Sequence, residues 1–168
     1  MIMNGEIIKR SPLFLDVSDA SIERLCEVVS EIDISAGYNI IKDGEMGNCL
    51  YLIKSGTVAI TKKLTMLEDH DLDIKDKELT HLSAEQNGFF GEMVICSEMD
   101  KRSATVTAET DCKLLELGSD DINKVLEADP ASAASFYKNL ALMLSDRMRK
   151  SNTDILKLTT ALSLALDE

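Results

Sequence analysis

Six glycines, Gly37, Gly44, Gly47, Gly56, Gly88 and Gly91, divide the middle of the chain into short apolar stretches. Glycine takes up turn conformations at little steric cost, so each glycine ends one stretch and begins another. Stretches this short, rich in Ile, Val, Leu, Thr and Tyr, predict strands at 31–34, 39–41, 49–55, 57–64, 77–82, 103–109 and 113–117. Gly56, set between 50–53 and 58–60, reads as the turn of a tight hairpin. Many short strands at this spacing define a mainly β fold, a sandwich or barrel.

Helical signals flank the strands. Residues 11–31 carry a cap and first-turn acid at Ser18 and Asp19, and Ile22, Leu25, Cys26, Val28 and Val29 then recur at helical spacing. A short helix is predicted over 120–126, and Pro130 marks the first turn of a long one. Along that helix Tyr137, Ala141, Leu144, Met148, Ser151, Ile155, Leu158, Leu162 and Ala165 alternate at spacings of four and three. This is an a/d seam of a kind that pairs with another helix. It extends further than one small barrel would cover, so a homodimer through this helix is expected. Residues 1–129 thus hold the N-terminal helix and the strands. Residues 130–168 hold the long helix, as part of the same single domain.

The chain has 168 residues, 45% of them hydrophobic, and a formal net charge of -12. That charge repels nucleic acid and anionic membrane. No apolar run approaches the ~18 residues of a membrane span, and the first residues lack the basic and apolar regions of a signal peptide. The expected setting is cytoplasmic. Cys26, Cys49, Cys96 and Cys112 form no C-x-x-C pair and sit among apolar neighbours. They are expected to be small buried hydrophobes rather than disulfide partners or metal ligands.

Residues 66–79 hold Glu68, Asp69, Asp71, Asp73, Asp76 and Glu78 against Lys75 and Lys77. A calcium loop counted from Asp71 would need Gly where Asp76 stands and a bidentate acid where Leu82 stands. The stretch is therefore read as a solvated hairpin tip. His70 and His81 are the chain's two histidines, too few for the histidine cluster of a metal-dependent cupin, which is the enzyme alternative for a small β-barrel. Nothing supplies a nucleophile with its base, so no catalysis is expected.

The chemistry concentrates in "GFFGEMVICSEMDKRSATV". Gly91 precedes Glu92, and Arg102-Ser103-Ala104 follows after a fixed gap. If a short helical turn starts at Gly91, its free N–H groups point outward, and glycine permits close approach. A guanidinium, a hydroxyl and backbone N–H groups returning beside that end would enclose one phosphate. Glu92, an acceptor, suits a sugar hydroxyl.

Taken together, this stretch closely resembles the phosphate-binding cassette of the cyclic nucleotide-binding domain family. The upstream "IIKDGEMGNCLYLIKSGTVAI", with Gly44, Gly47 and Gly56, is similar to that family's paired turns and hairpin, and the likeness covers roughly residues 11–155. The resemblance implies a β-roll with a long C-terminal helix. It implies that Glu92, after Gly91, holds the ribose 2′-hydroxyl, that Arg102 pairs with the cyclic phosphate, and that Ser103 and Ala104 add hydroxyl and N–H contacts. Aligned on the family's C-terminal helix, Ser151 and Asn152 fall at the small polar pair that meets the base. Val94 departs from the small residues usual there. Only 16 residues follow Asn152, too few for the winged helix-turn-helix of the catabolite-activator relatives, so no DNA binding is expected. The implied function is a sensor that binds cyclic AMP, with cyclic GMP as the other candidate, and signals by shape change to an unidentified downstream protein. The alternative is a degenerate cyclic nucleotide-binding fold that serves as a dimeric interaction module without nucleotide.

Overall fold

The computed structural model describes residues 2–63, 76–96 and 101–166. Two helices open the chain, α1 (Ile2–Arg10) and α2 (Asp19–Val28). Eight strands follow: β1 (Ser30–Ile34), β2 (Asn39–Ile41), β3 (Cys49–Ser55), β4 (Thr57–Lys63), β5 (Asp76–Ser83), β6 (Phe89–Phe90), β7 (Thr105–Ala108) and β8 (Cys112–Gly118). Helices α3 (Ser119–Glu127) and α4 (Pro130–Leu166) close the described chain.

The strands form two antiparallel four-stranded sheets, ordered β1-β8-β3-β6 and β2-β7-β4-β5. The mainly β architecture with flanking helices is as expected, built from two sheets rather than a closed barrel. β3 explains how the layers stack. Its Leu50 and Leu52 pack with the helices, while Tyr51 and Ile53 pack with Ile41, Val58 and Val106 of the second sheet. Side chains alternate across a strand, so a strand covered on both faces reads as an unbroken apolar run. That is the character of 50–53. Gly56 turns the β3–β4 hairpin at φ +91°. A Cβ there would stand 2.6 Å from the Asp111 carbonyl oxygen, so no other residue fits.

The predicted helix over 11–31 is shorter than expected. Pro12–Phe14 is a single 3-10 turn, and Asp16 takes φ +61°, which interrupts any continuous helix. Ser18 then caps α2, its side chain accepting from the Ser21 N–H at 3.2 Å. By Ser30 the chain is already in β1. Helix α1 was not expected. Gly5 lies inside it and lets α2 approach, since a Cβ there would meet Cys26 Sγ at 3.4 Å. Strand β5 carries a bulge: Ile60 pairs with Thr80 and Thr61 with Glu78, leaving Leu79 unopposed. Most of the acidic stretch at 66–79, with His70, lies outside the described residues. Its last residues, 76–79, belong to β5.

Helix α4 is packed into the core only near its start. Phe136 and Leu140 are fully buried in the core, and Phe136 packs on Phe14 with ring centroids 5.2 Å apart. Asn139 Nδ2 donates to the carbonyls of Leu13 and Leu15 at 3.2 and 2.7 Å. At the junction, the Asp129 carboxylate accepts from the hydroxyls of Ser132, Ser18 and Ser21 at 2.6, 2.7 and 2.9 Å. These donors, Ser132 first, hold the Asp129 carboxyl well below the usual carboxylate range. From Asp146 to Leu166 every residue is exposed. The seam residues Met148, Ile155, Leu158 and Leu162 are among them, and Leu144, just before this run, is exposed as well.

Candidate functional site

The second sheet, the cassette and α4 enclose a cavity of about 580 Å³. Gly91, Glu92, Arg102, Ser103, Ala104 and Ser151 all line it. Six of the seven residues singled out in the sequence therefore meet at one place. Asn152 is not part of this wall. It follows Ser151, and one residue along a helix turns the side chain about 100°.

Glycines build the floor under Arg102. Gly91 takes φ +83°, and a Cβ on it would stand 2.7 Å from the Cys49 carbonyl oxygen and 2.9 Å from Arg102 Nη1. A Cβ on Gly47 would stand 2.6 Å from Arg102 Nε. Both glycines thus leave room for one guanidinium. Arg102 is only 8% exposed. Its Nη1 donates to the Cys49 carbonyl at 2.9 Å, and its Cζ lies 5.8 Å over the Tyr51 ring. Tyr51 is itself fixed. It stacks on Phe90 at 5.2 Å and donates its hydroxyl to Glu116 at 2.8 Å. Burial, then this hydrogen bond, pushes the phenol pKa up, so Tyr51 stays neutral beneath the arginine. A turn straps the cassette's return strand: the Gly44 N–H donates to the Arg102 carbonyl at 2.9 Å, and the Arg102 N–H to that of Glu45 at 2.8 Å.

Glu92 opens the 3-10 turn Glu92–Cys96, and its side chain is almost wholly buried. The expected helical turn is therefore present, in the tighter form. Its carboxylate pairs with Arg147 of α4, whose guanidinium lies 5.8 Å over the Phe89 ring. Sequence reasoning missed Arg147. It stands 55 residues from its partner, although its place one turn before Ser151 on the same helix was a usable signal. Val94 is buried and lines the cavity, which remains open beside it. The Ser103 hydroxyl donates to Met93 Sδ at 3.2 Å.

Charge sets the cavity apart from the rest of the chain. Lys101, Arg102, Arg147 and Lys150 line it against the carboxylates of Glu92 and Asp154. Among the described lining residues four cations face two carboxylates, a local attractor for an anion in a chain of charge -12. Leu79, Leu82, Ile60 and, from α4, Ile155 and Leu158 supply an apolar surface beside these cations. The arrangement sets a cationic end against an apolar end within one cavity. Among the described residues, no group of three His, Cys, Asp or Glu side chains is placed to hold a metal ion. His81 is on β5, its Nδ1 and Nε2 at 2.9 and 2.6 Å from Glu109 and Glu78. Cys26, Cys49 and Cys112 are free thiols; Cys112 is buried, the other two only half-buried. The side chain of Cys96 lies outside the described set. No described helix is long and apolar enough to cross a membrane.

Comparison with known proteins agrees with this geometry. Residues 31–129 match the family model of the cyclic nucleotide-binding domain. The cAMP-dependent protein kinase regulatory subunit of Yarrowia lipolytica is 27% identical over 124 residues, 74% of this chain and 30% of that protein. The catabolite activator protein of Thermus thermophilus superposes with a TM-score of 0.71 at 26% identity, over 89% of this chain and 63% of that one. The regulatory domain of Toxoplasma gondii PKA, crystallised with cAMP, gives 0.63 at 26% identity, over 74% and 43%. The chain spans less than a third of the curated relatives it matches. With the cassette glycines, the buried arginine and the facing helix in place, the chain belongs to the cyclic nucleotide-binding domain family. Its similar proteins are named as a kinase regulatory subunit, a regulatory domain and an activator, which are regulatory proteins rather than enzymes.

Proposed function

We propose that this chain is a non-catalytic cyclic AMP sensor of the cytoplasm. The observation that carries the reading is the buried guanidinium of Arg102, desolvated in a cavity lined by cations yet given no carboxylate partner among the described residues. A buried cation without an anion is costly unless a ligand supplies one. The cyclic phosphate takes that place, with Ser103 and Ala104 adding a hydroxyl and an N–H. Glu92, beside Gly91, accepts from the ribose 2′-hydroxyl through the oxygen that Arg147 leaves open. The base lies toward Ile155 and Leu158, where Ser151 meets its edge; Asn152 reaches a base only from a second copy. The exposed seam of α4 pairs with its twin in a homodimer, and the signal passes to a downstream protein rather than to DNA or a membrane.

One observation favours a second reading. The Glu92 carboxylate is already paired with Arg147, as it would be in a fold that keeps its shape and dispenses with nucleotide. Calorimetric titration with cyclic AMP and cyclic GMP separates the two. Saturable binding of cyclic AMP, tighter than that of cyclic GMP, is expected. Absence of heat with both nucleotides would establish the interaction module instead.

A further inference from the structure

Lys62 belongs to β4 and is not part of the cavity wall. Its ammonium donates to the Ser103 carbonyl at 2.6 Å and to Asp43 Oδ1 at 3.2 Å. Asp43 is anchored in turn, its N–H donating to Thr105 Oγ1 at 3.1 Å. A lysine of the second sheet, itself held by an aspartate of the preceding turn, thus grips one carbonyl, at the point where the cassette passes into β7.

The consequence follows from peptide geometry. A trans peptide is planar, so the carbonyl of one residue and the N–H of the next point in opposite directions. Fixing the Ser103 carbonyl therefore fixes the Ala104 N–H. Backbone polar groups are nearly always paired, and three of the neighbouring groups have partners here. The Arg102 N–H goes to Glu45, the Arg102 carbonyl accepts from Gly44, and the Ser103 carbonyl accepts from Lys62. No described residue accepts from the Ala104 N–H, and Ala104 lines the cavity. With its carbonyl drawn to a lysine outside the cavity, the same peptide presents its N–H on the cavity side.

We infer that Lys62 is a positioning residue that aims the Ala104 N–H at the ligand's phosphate without touching the ligand. This rests on the cyclic nucleotide reading above. A charge-assisted bond at this length holds the peptide plane more firmly than a neutral one. Lysine reaches the carbonyl while its charge stays balanced by Asp43, so it adds no long-range attraction for anions.

The test is solution NMR of the Ala104 amide together with calorimetric titration of cyclic AMP, on the wild type, Lys62→Met and Lys62→Arg. In the wild type the Ala104 amide proton is expected to move downfield on binding. In Lys62→Met that shift shrinks and affinity falls by about threefold to tenfold, the net worth of one hydrogen bond. Lys62→Arg, which can still donate to the carbonyl, restores most of both. Wild type that binds, with an equal Ala104 shift in Lys62→Met, would overturn the role of Lys62 alone. Lowered affinity with an unchanged Ala104 shift would also overturn it, since Lys62 would then act by charge. Wild type that binds no cyclic AMP would overturn the function and this role together.

Discussion

Arg102 and Arg147 face one cavity from opposite sides, yet they are held in different ways. Arg102 is 8% exposed, seated over Tyr51 and bonded to backbone. Arg147 is about half exposed and extends from a helix whose later residues are all in solvent. The first side of the cavity is a wall of paired strands that fixes its arginine from below. The second is a helix attached by its first turns and by one ion pair to Glu92. On the proposed reading the difference teaches a division of labour: the strand wall would supply a preformed anion seat, and the helix wall would be the part free to respond.

The largest expected effect sets the two ends of α4 against each other. Phe136→Ala empties a fully buried site and should cost about 3–5 kcal/mol in urea unfolding. Next comes the comparison of the two arginines. Arg102→Ala should weaken cyclic AMP binding by about 2–5 kcal/mol, the cost of leaving a desolvated ligand charge without its partner. Arg147→Ala should cost less, about 1–2 kcal/mol, because solvent screens its guanidinium. Calorimetry that found the two losses equal would remove the distinction between fixed and responsive walls. Leu162→Ala should lower the stability of the proposed dimer by about 1.5–3 kcal/mol. Its unfolding midpoint should depend on protein concentration, and a midpoint independent of concentration would show that α4 does not pair with its twin.

The smallest effect concerns pH. His81 lies between Glu109 and Glu78, whose hydrogen bonds raise its pKa above the ordinary 6.5. A raised folded value means that the protonated clamp stabilises fully below the unfolded pKa. That contribution is lost as pH rises through the folded value, because neutral imidazole has one donor for two carboxylates. Wild type should therefore lose a small increment of stability above about pH 6.5 that His81→Gln lacks. Parallel urea midpoints for both proteins across that range would dissolve the clamp.

Much of this was legible from local pattern. The glycine spacing located seven of the eight strands, because each turn conformation leaves its mark within a few residues. Gly56 between Cys49–Ser55 and Thr57–Lys63 marked the hairpin, and Pro130 marked the start of α4. What escaped depends on distant partners. Strand β6 is two residues long and exists because Tyr51 and Leu52 pair with it. Helix α1 holds a glycine that looks like a breaker until α2 packs over it. The Leu79 bulge is invisible in sequence, yet it brings Glu78 and His81, three apart on a strand, within bonding distance. In the site, Glu92 and Arg102 were readable as a pair of chemical types. The roles of Tyr51, Lys62 and Arg147 were not, since each is defined by a contact across the fold.

The attachment of α4 near Asp129 has a mechanical consequence. Thirty-seven residues of helix extend about 55 Å at 1.5 Å per residue. Clamped at one end, such a rod is a lever whose fulcrum is the serine-bound carboxylate of Asp129. Arg147 sits a little under halfway along it, so a displacement imposed there arrives at Leu166 about twice as large. A swing of only about 5° carries the tip roughly 5 Å, close to the spacing between neighbouring turns of a helix. On the proposed reading an adjustment of side-chain size at the cavity would thereby be converted, by length alone, into a movement on the scale of a helix register.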